Sequence, residues 1–445
     1  MILAHGYRQT AYVTHMRSLS AAAAAAVILA GCGTAPSSAS SGGQSPAPAV
    51  AVGSGGINRP DQLSKPYVVM VSFDGFRADY LDKYPAPNFQ RVVRNGVRSK
   101  GLIPVFPSKT FPNHYSIVTG QYPESHGIVS NRFFDPARRQ TYALGDRKSV
   151  LDGSWYRGEP IWITAEKQGM VAASYFWVGS EATIKGIRQT HVKEYAAGAP
   201  NFMRVDTVIA WLQKPALQRP HVITLYMSDV DGAGHMHGPE SPQVASAILA
   251  VDSALGRLLD GIQALPIRDS AYVILVSDHG MTPYTPETYV AVESLIDTVG
   301  VFLADGGPNA NIHVTGGAAR AVILRDSINA RLTHGRAYLR QEIPARLHYR
   351  ADPRIGDIVV IMEEHYQFGG RAYLPRRPGG NHGWDPAYPS MHGLFLVAGP
   401  RLRRGAMIPP FENVNIYPFL TEILGLTPGP GIEGKPDWLR SQLIR

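Results

Sequence analysis

The chain has 445 residues, of which 44% are hydrophobic and 18% charged, a balance that excludes a disordered protein and suffices for one large core with a smaller lobe. A single cysteine excludes a disulfide framework, and the formal charge of +8 is spread along the chain rather than gathered into a basic platform. That surplus would draw small anionic substrates, and no stable nucleic-acid complex is expected.

At the amino terminus, Met16 to Cys32 runs from a basic start through a short apolar core to small residues, the plan of a secretory signal. The apolar run falls short of the ~20 residues that a membrane-spanning helix needs. Its last four residues, Leu29-Ala-Gly-Cys32, resemble the box at which bacterial lipoproteins are cut, so residues 1–31 read as a removed leader and Cys32 as the lipidated residue. Lipidation accounts for an exported protein whose one cysteine has no partner. The resemblance implies a periplasmic or cell-surface lipoprotein held to a membrane through Cys32, and Gly33 favours the outer membrane. Residues 32–62, rich in Ser, Gly, Pro and Ala, lack the large apolar residues needed to order them and are expected to form a flexible tether. An ordered domain is expected over 63–435.

Within that domain the run Val68 to Phe73 has the length of a buried strand and stops at Asp74-Gly75, which places a carboxylate at a strand's carboxyl end. In Phe106-Pro-Ser-Lys-Thr110-Phe-Pro-Asn-His-Tyr-Ser116 a helix begins, and Thr110 stands where a hydroxyl can cap it. Val222 to Met227 leads into Asp229-Val-Asp231, with His235 one helical turn or a tight glycine loop further on. Val244 to Ile262 has the apolar spacing of a helix face. Tyr272 to Val276 leads to Asp278-His279-Gly280, where two adjacent ligands can share a metal only if the chain turns, as Gly280 permits. Residues 284–365 lack such strand-end acids and read as a small α+β insertion. Gly379-Gly-Asn-His382 is a loop whose glycines let backbone approach a site, Leu394–Ala398 resumes the sheet, and a last helix follows Asn415. The alternation predicts an α/β fold, a mostly parallel sheet flanked by helices, with its ligand crevice beyond the strand ends.

Three strands ending in acid would gather carboxylates at one edge, where they repel unless a cation lies between them. Three histidines beside four oxygen donors suit a borderline metal such as zinc, since magnesium and calcium draw on oxygen almost alone. The candidate ligands are Asp74, Thr110, Asp231, His235, Asp278, His279 and His382, enough for two ions. Any one pair is common in surface turns; the ordered set is not. Two metals ~4 Å apart can clamp the attacking and leaving oxygens of a phosphoryl transfer. Thr110, with its pKa lowered by a metal, is the nucleophile this predicts, and Ser108 and Ser116 read as local hydrogen-bonding residues.

These motifs, with Gly120-Gln-Tyr-Pro-Glu-Ser-His-Gly-Ile128, Trp155-Tyr-Arg-Gly-Glu-Pro-Ile-Trp162 and Asn413-Val-Asn-Ile-Tyr-Pro-Phe419, resemble the ectonucleotide pyrophosphatase/phosphodiesterase family of the alkaline phosphatase superfamily. The resemblance covers nearly all of 66–430. It implies two zinc ions, one on Asp231, His235 and His382 and the other on Asp74, Thr110, Asp278 and His279. It also implies attack by Thr110 to give a phosphoryl-threonine, and Asn131 as donor to a non-bridging phosphate oxygen. Where the family often has Glu-Pro-Asp, this chain has Asp229-Val-Asp231, and the liganding aspartate remains.

A diester needs a pocket for its second substituent. Phe111 follows the nucleophile and Tyr195 lies in a segment resembling the family's nucleoside-stacking tyrosine; either they sandwich a base, for ~1–3 kcal/mol, or they pack in the core. Nucleotide diesters are the expected substrates, with choline diesters, or a phosphomonoesterase or phosphonate hydrolase activity, as alternatives. Trp177, Lys185, Arg188, Arg376 and Arg377 are candidates for the pocket's border.

Overall fold

The computed structural model describes residues 51–444, so the leader, Cys32 and most of the expected tether lie outside the described residues. In chain order the principal strands are β1 (Tyr67–Phe73), β2 (Gly96–Ser99), β3 (Ala172–Tyr175), β4 (His191–Lys193), β5 (Val222–Met227) and β6 (Ala271–Val276). Four strands of a second sheet follow, β7 (Val301–Asp305), β8 (Asn309–Val314), β9 (Gly335–Leu339) and β10 (Ile358–Met362), and then β11 (Phe395–Ala398) and β12 (Ala406–Ile408) return to the first. The main sheet has the order β12-β2-β11-β6-β1-β5-β3-β4. Only β11 runs antiparallel to its neighbours. The sheet is therefore mostly parallel, as the alternation of strands and helices predicts.

The centre of the sheet is apolar on both faces because helices cover both. Every residue of β1 is buried. Val68 and Met70 point into one core with Ile274 and Val276, while Val69, Val71 and Phe73 point into the other with Leu225 and Leu275. This period of two is what a pleated strand imposes. The first face is covered by α1 (Thr110–Thr119), whose Ile117 and Val118 are fully buried, and the second by α4 (Pro242–Gln263), the helix expected from the spacing after Val244. Between them come α2 (Asn201–Leu212) and α3 (Asp229–His237), and a helix over Ile416–Leu424 follows Asn415. At ~1.5–3 kcal/mol for each large side chain taken out of water, the two cores supply most of the favourable free energy of the fold.

Register sets the site. Phe73 of β1 lies opposite Met227 of β5, and Ser72 lies opposite Val276 of β6, so the segments that follow these strands emerge at one edge. The span 284–365 holds the antiparallel sheet β7-β8-β10-β9 and a helix over Gly317–Asn329; part of it packs in a cluster that also takes in Phe368, Trp384 and Met391, while Tyr349, Ile355 and Val359 join the first core.

Two boundaries differ from the expectation. Residues 53–62 are packed chain rather than free tether: Asn58 is buried, donates to the carbonyls of Ala216 and Arg219, and accepts from the amide of Val171. An amide side chain with three backbone partners anchors a segment that has few apolar residues. At the other end packing continues past residue 435, with Leu439 buried in the core and Leu443 bridged to Leu402.

Candidate metal centre and substrate cavity

Asp74 follows β1 directly, and the turn that presents it needs Gly75, whose φ is +67° and where a Cβ would fall 2.8 Å from the Cα of Asp231. The carbonyl of Asp74 accepts from the amide of Asp231 at 3.0 Å, which ties the ends of β1 and α3 together. Asp231 and His235 sit one turn apart on α3, so the helical alternative for this pair holds. His382 arrives from a short strand, Gly379–Asn381, laid against α3. A Cβ on Gly379 or Gly380 would come within 2.6 or 2.5 Å of the carbonyl oxygens of His235 and Gly234, so this strand can reach the helix only as glycine. Gly280 works in the same way: its Cβ would lie 2.0 Å from the Ser390 carbonyl, and its φ is not positive. Close approach, rather than the free turn expected there, is why it is glycine.

All seven candidate ligands converge. Nε2 of His235 lies 3.3 Å from Oδ1 of Asp231, Nε2 of His382 lies 3.7 Å from the same oxygen, and the two nitrogens are 3.1 Å apart. Beside them, Nε2 of His279 lies 3.0 Å from Oδ2 of Asp278, 3.3 Å from Oδ1 of Asp74 and 3.3 Å from Oγ1 of Thr110. The rings of His279 and His382 stack, which brings the two groups side by side.

These residues fit a cation pair. Oδ1 of Asp74, Oδ1 of Asp231 and Oδ2 of Asp278 are buried with no hydrogen-bond donor. Each of the three histidines points Nδ1 at a backbone carbonyl, His235 at Gly380, His279 at Gly280 and His382 at Ser108, at 2.8–2.9 Å. Donation there leaves Nε2 of each ring facing the carboxylates, the nitrogen a metal-binding imidazole offers; against burial, Asp231 raises the pKa of His235 to about 9 and Asp278 raises that of His279, so a metal would displace a proton at those two. Burial, with Asp278 and Asp231 adding to it, raises the pKa of Asp74 well above the usual carboxylate range. Burial opposes ionisation of Asp278 as well, but His279 and His114 hold it well below. For His382, burial and the neighbouring His279 and His235 push the pKa well down, so it stays a neutral donor.

Thr110 is the first residue of α1, and Lys109 occupies the capping position without a side-chain bond, so the hydroxyl is not spent as a cap. It opens onto a cavity of about 310 Å³ lined by Phe111, Asn131, Trp177, Tyr195 and Tyr226 among others. Oδ1 of Asn131 accepts from the amide of Phe111 at 2.8 Å, which turns its NH₂ group away from that bond. Tyr195 is 48% exposed, so it is no core residue; Phe111 is half-buried and meets Tyr142 edge-on. Ser108 and Ser116 are local hydrogen-bonding residues, bonded to the Trp384 carbonyl and to His126. Lys185, Arg188, Arg376 and Arg377 do not line the cavity.

Sequence reasoning missed three residues here. His114, one turn along α1 from Thr110, bonds the Thr110 carbonyl at 2.9 Å and Ser72 at 2.8 Å, and lies 3.3 Å from Asp278. Its place four residues after the nucleophile was the available signal. Tyr226, on β5, donates to Oδ2 of Asp74 at 2.6 Å, and Arg147, on the cavity wall, pairs with Glu181 at 2.7 Å. Neither has a local signature.

Residues 68–385 match the model of the family described as type I phosphodiesterase / nucleotide pyrophosphatase. Among curated proteins the chain is similar to ectonucleotide pyrophosphatase/phosphodiesterase family member 1 of Rattus norvegicus, 36% identical over 384 residues, which are 84% of this chain and 42% of that protein. It is also similar to a venom phosphodiesterase of Crotalus adamanteus, 32% identical over 385 residues, 85% of this chain and 47% of the other. It thus spans under half the length of these relatives. Among solved structures it is similar to an inactive variant of murine ectonucleotide pyrophosphatase / phosphodiesterase 5 in complex with AMP, with a TM-score of 0.80 and 31% identity, over 85% of this chain and all of that one.

Proposed function

The chain belongs to the type I phosphodiesterase / nucleotide pyrophosphatase family and has its alkaline-phosphatase-like fold, and from that premise we propose that it is a two-zinc hydrolase of phosphodiester or pyrophosphate bonds in nucleotides. One observation carries the proposal: donor-less carboxylate oxygens and inward-facing imidazole nitrogens converge at the Thr110 hydroxyl, at the mouth of a cavity walled by aromatic rings.

Asp231, His235 and His382, whose donor atoms lie together, would hold one zinc, and Asp74, Thr110, Asp278 and His279, the set that the family resemblance implies, the other. Bound there, the ions would supply charge neutralisation for the phosphate and lower the pKa of the Thr110 hydroxyl. The protein's own share is positioning. Thr110 Oγ1 attacks phosphorus, the bond to the leaving oxygen breaks in line, and a phosphoryl-threonine still carrying one ester remains. Water then attacks phosphorus and returns Thr110. Asn131, held by the Phe111 amide, directs its NH₂ group to a non-bridging oxygen. Phe111 and Tyr195 line the cavity, where their rings would stack a base, and the AMP bound by the murine relative supports a nucleoside over choline.

The proposal extends to location. The leader plan and Cys32 suggest an exported lipoprotein, and among the described residues no helix is long and apolar enough to cross a membrane. The test of the chemistry is Thr110→Ala: it should keep both zinc equivalents per chain by elemental analysis while turnover of a nitrophenyl nucleotide ester vanishes. Near-normal hydrolysis by that variant would overturn the mechanism.

A further inference from the structure

The catalytic crevice lies at the edge where β1, β5 and β6 end. The opposite edge, where they begin, has a different character. The turn into β2 brings Arg94 there, and the loop between β11 and β12 brings Arg401, Arg403 and Arg404; a Cβ on Gly405 would lie 3.9 Å from the Arg94 carbonyl, so the two segments adjoin. Arg94, Arg403 and Arg404 are exposed and have no carboxylate partner among the described residues. Arg91 and Arg268, on the groove of about 540 Å³ that Arg404 also lines, are by contrast paired with Asp260 at 2.7 Å and Asp269 at 3.7 Å. Two exposed aliphatic side chains belong to the same segments: Met407, on β12 and three residues after Arg404, is 52% exposed, and Ile444, whose amide donates to the Arg401 carbonyl at 2.6 Å, is 53% exposed.

The described chain also enters along this edge. The Ser54 amide donates to Glu166 at 3.0 Å, the Asn58 side chain to the Arg219 carbonyl at 2.7 Å, and the Arg59 amide to the Gly169 carbonyl at 2.8 Å, all in segments that precede strands. Residues 54–59 are therefore packed on the side away from the crevice.

We propose that this edge is a contact face for an anionic phospholipid surface. Unpaired guanidinium groups are drawn to anionic headgroups, and exposed aliphatic side chains beside them gain by entering the headgroup–acyl boundary. A nucleic acid would satisfy the arginines but leave Met407 and Ile444 in water, so the bilayer is the better fit. With this face on a membrane, the crevice opens outward to soluble substrates.

The test uses residues 48–445, a compact unit by itself that carries no acyl anchor. Co-sedimentation is measured with vesicles of phosphatidylcholine alone and of phosphatidylcholine with phosphatidylglycerol. Binding should require the anionic lipid, weaken with salt, and fall about a hundredfold in the triple variant Arg94→Gln, Arg403→Gln, Arg404→Gln. Met407→Ser should weaken it further without changing its salt dependence. Unchanged hydrolysis of a soluble nucleotide ester by the triple variant shows that the fold is intact. Equal binding to neutral vesicles, full retention by the triple variant, or tighter binding to duplex DNA than to anionic vesicles would each overturn the proposal.

Discussion

Tyr226→Phe removes one hydroxyl and keeps the ring that packs against His114 and Tyr195. That hydroxyl donates to Oδ2 of Asp74 at 2.6 Å inside a site where Asp74 is 1% exposed and its other oxygen has no donor. Burial raises the Tyr226 pKa well above that of free tyrosine, so the group remains a donor at any working pH. A bound cation would keep Asp74 ionised, and a hydrogen bond to a charged acceptor is worth about 1.5–3 kcal/mol net, where tenfold in affinity corresponds to about 1.4 kcal/mol. The variant should therefore bind zinc about 10- to 100-fold more weakly, the range seen when outer partners of metal ligands are lost. The assay is competition with a chromophoric chelator, followed by kcat/KM with and without excess zinc. Weakened zinc affinity, with activity that recovers as zinc is added, is the expected result. An unchanged zinc affinity would refute the idea that Tyr226 orients Asp74 as a ligand.

Three further outcomes are expected. Tyr195→Ala should raise KM about tenfold for a nitrophenyl nucleotide ester and leave nitrophenyl phosphorylcholine nearly unaffected, since only the first loses a stacked base; equal effects on both would place the base elsewhere. His126 is fully buried, and burial followed by the nearby Arg157 lowers its pKa to about 3. Because the unfolded histidine titrates near 6.5, its contribution to stability is complete above that pH and is lost as pH falls from there towards 3. Between pH 7 and 5 the wild type should lose about 2 kcal/mol more than His126→Gln in denaturant unfolding, and identical pH dependence would contradict this. Cys32→Ser should release the full-length protein from membranes into the aqueous phase of a detergent partition, and continued partitioning with detergent would argue against lipidation.

The metal ligands were legible because their chemistry is tied to local patterns. Asp74 and Asp278 end apolar runs, and Asp231 and His235 have helical spacing, so each pattern states both a residue type and a place in the fold. What binds them to one another is not local. Tyr226 reaches Asp74 across two strands that are 152 residues apart in sequence, and His114 reaches Asp278 across 164 residues, relations that only register and helix docking create. Gly280 was read correctly as a necessary glycine for a mistaken reason, since a carbonyl approaching from Ser390 leaves no trace in the neighbouring sequence. Composition misled at residues 53–62, where polar groups dock through backbone hydrogen bonds rather than apolar burial. Tyr195 lay between packing and stacking in the sequence, and its half-exposed ring on the cavity wall decides against the core.

The central claim is that Thr110 and its metal cluster cleave diesters. We would measure kcat/KM of the zinc-loaded protein for the nitrophenyl ester of thymidine monophosphate against nitrophenyl phosphate, with Thr110→Ala as the blank. A strong preference for the diester, absent in the variant, is the predicted result. Preference for the monoester would make Phe111 and Tyr195 bystanders and contradict the account.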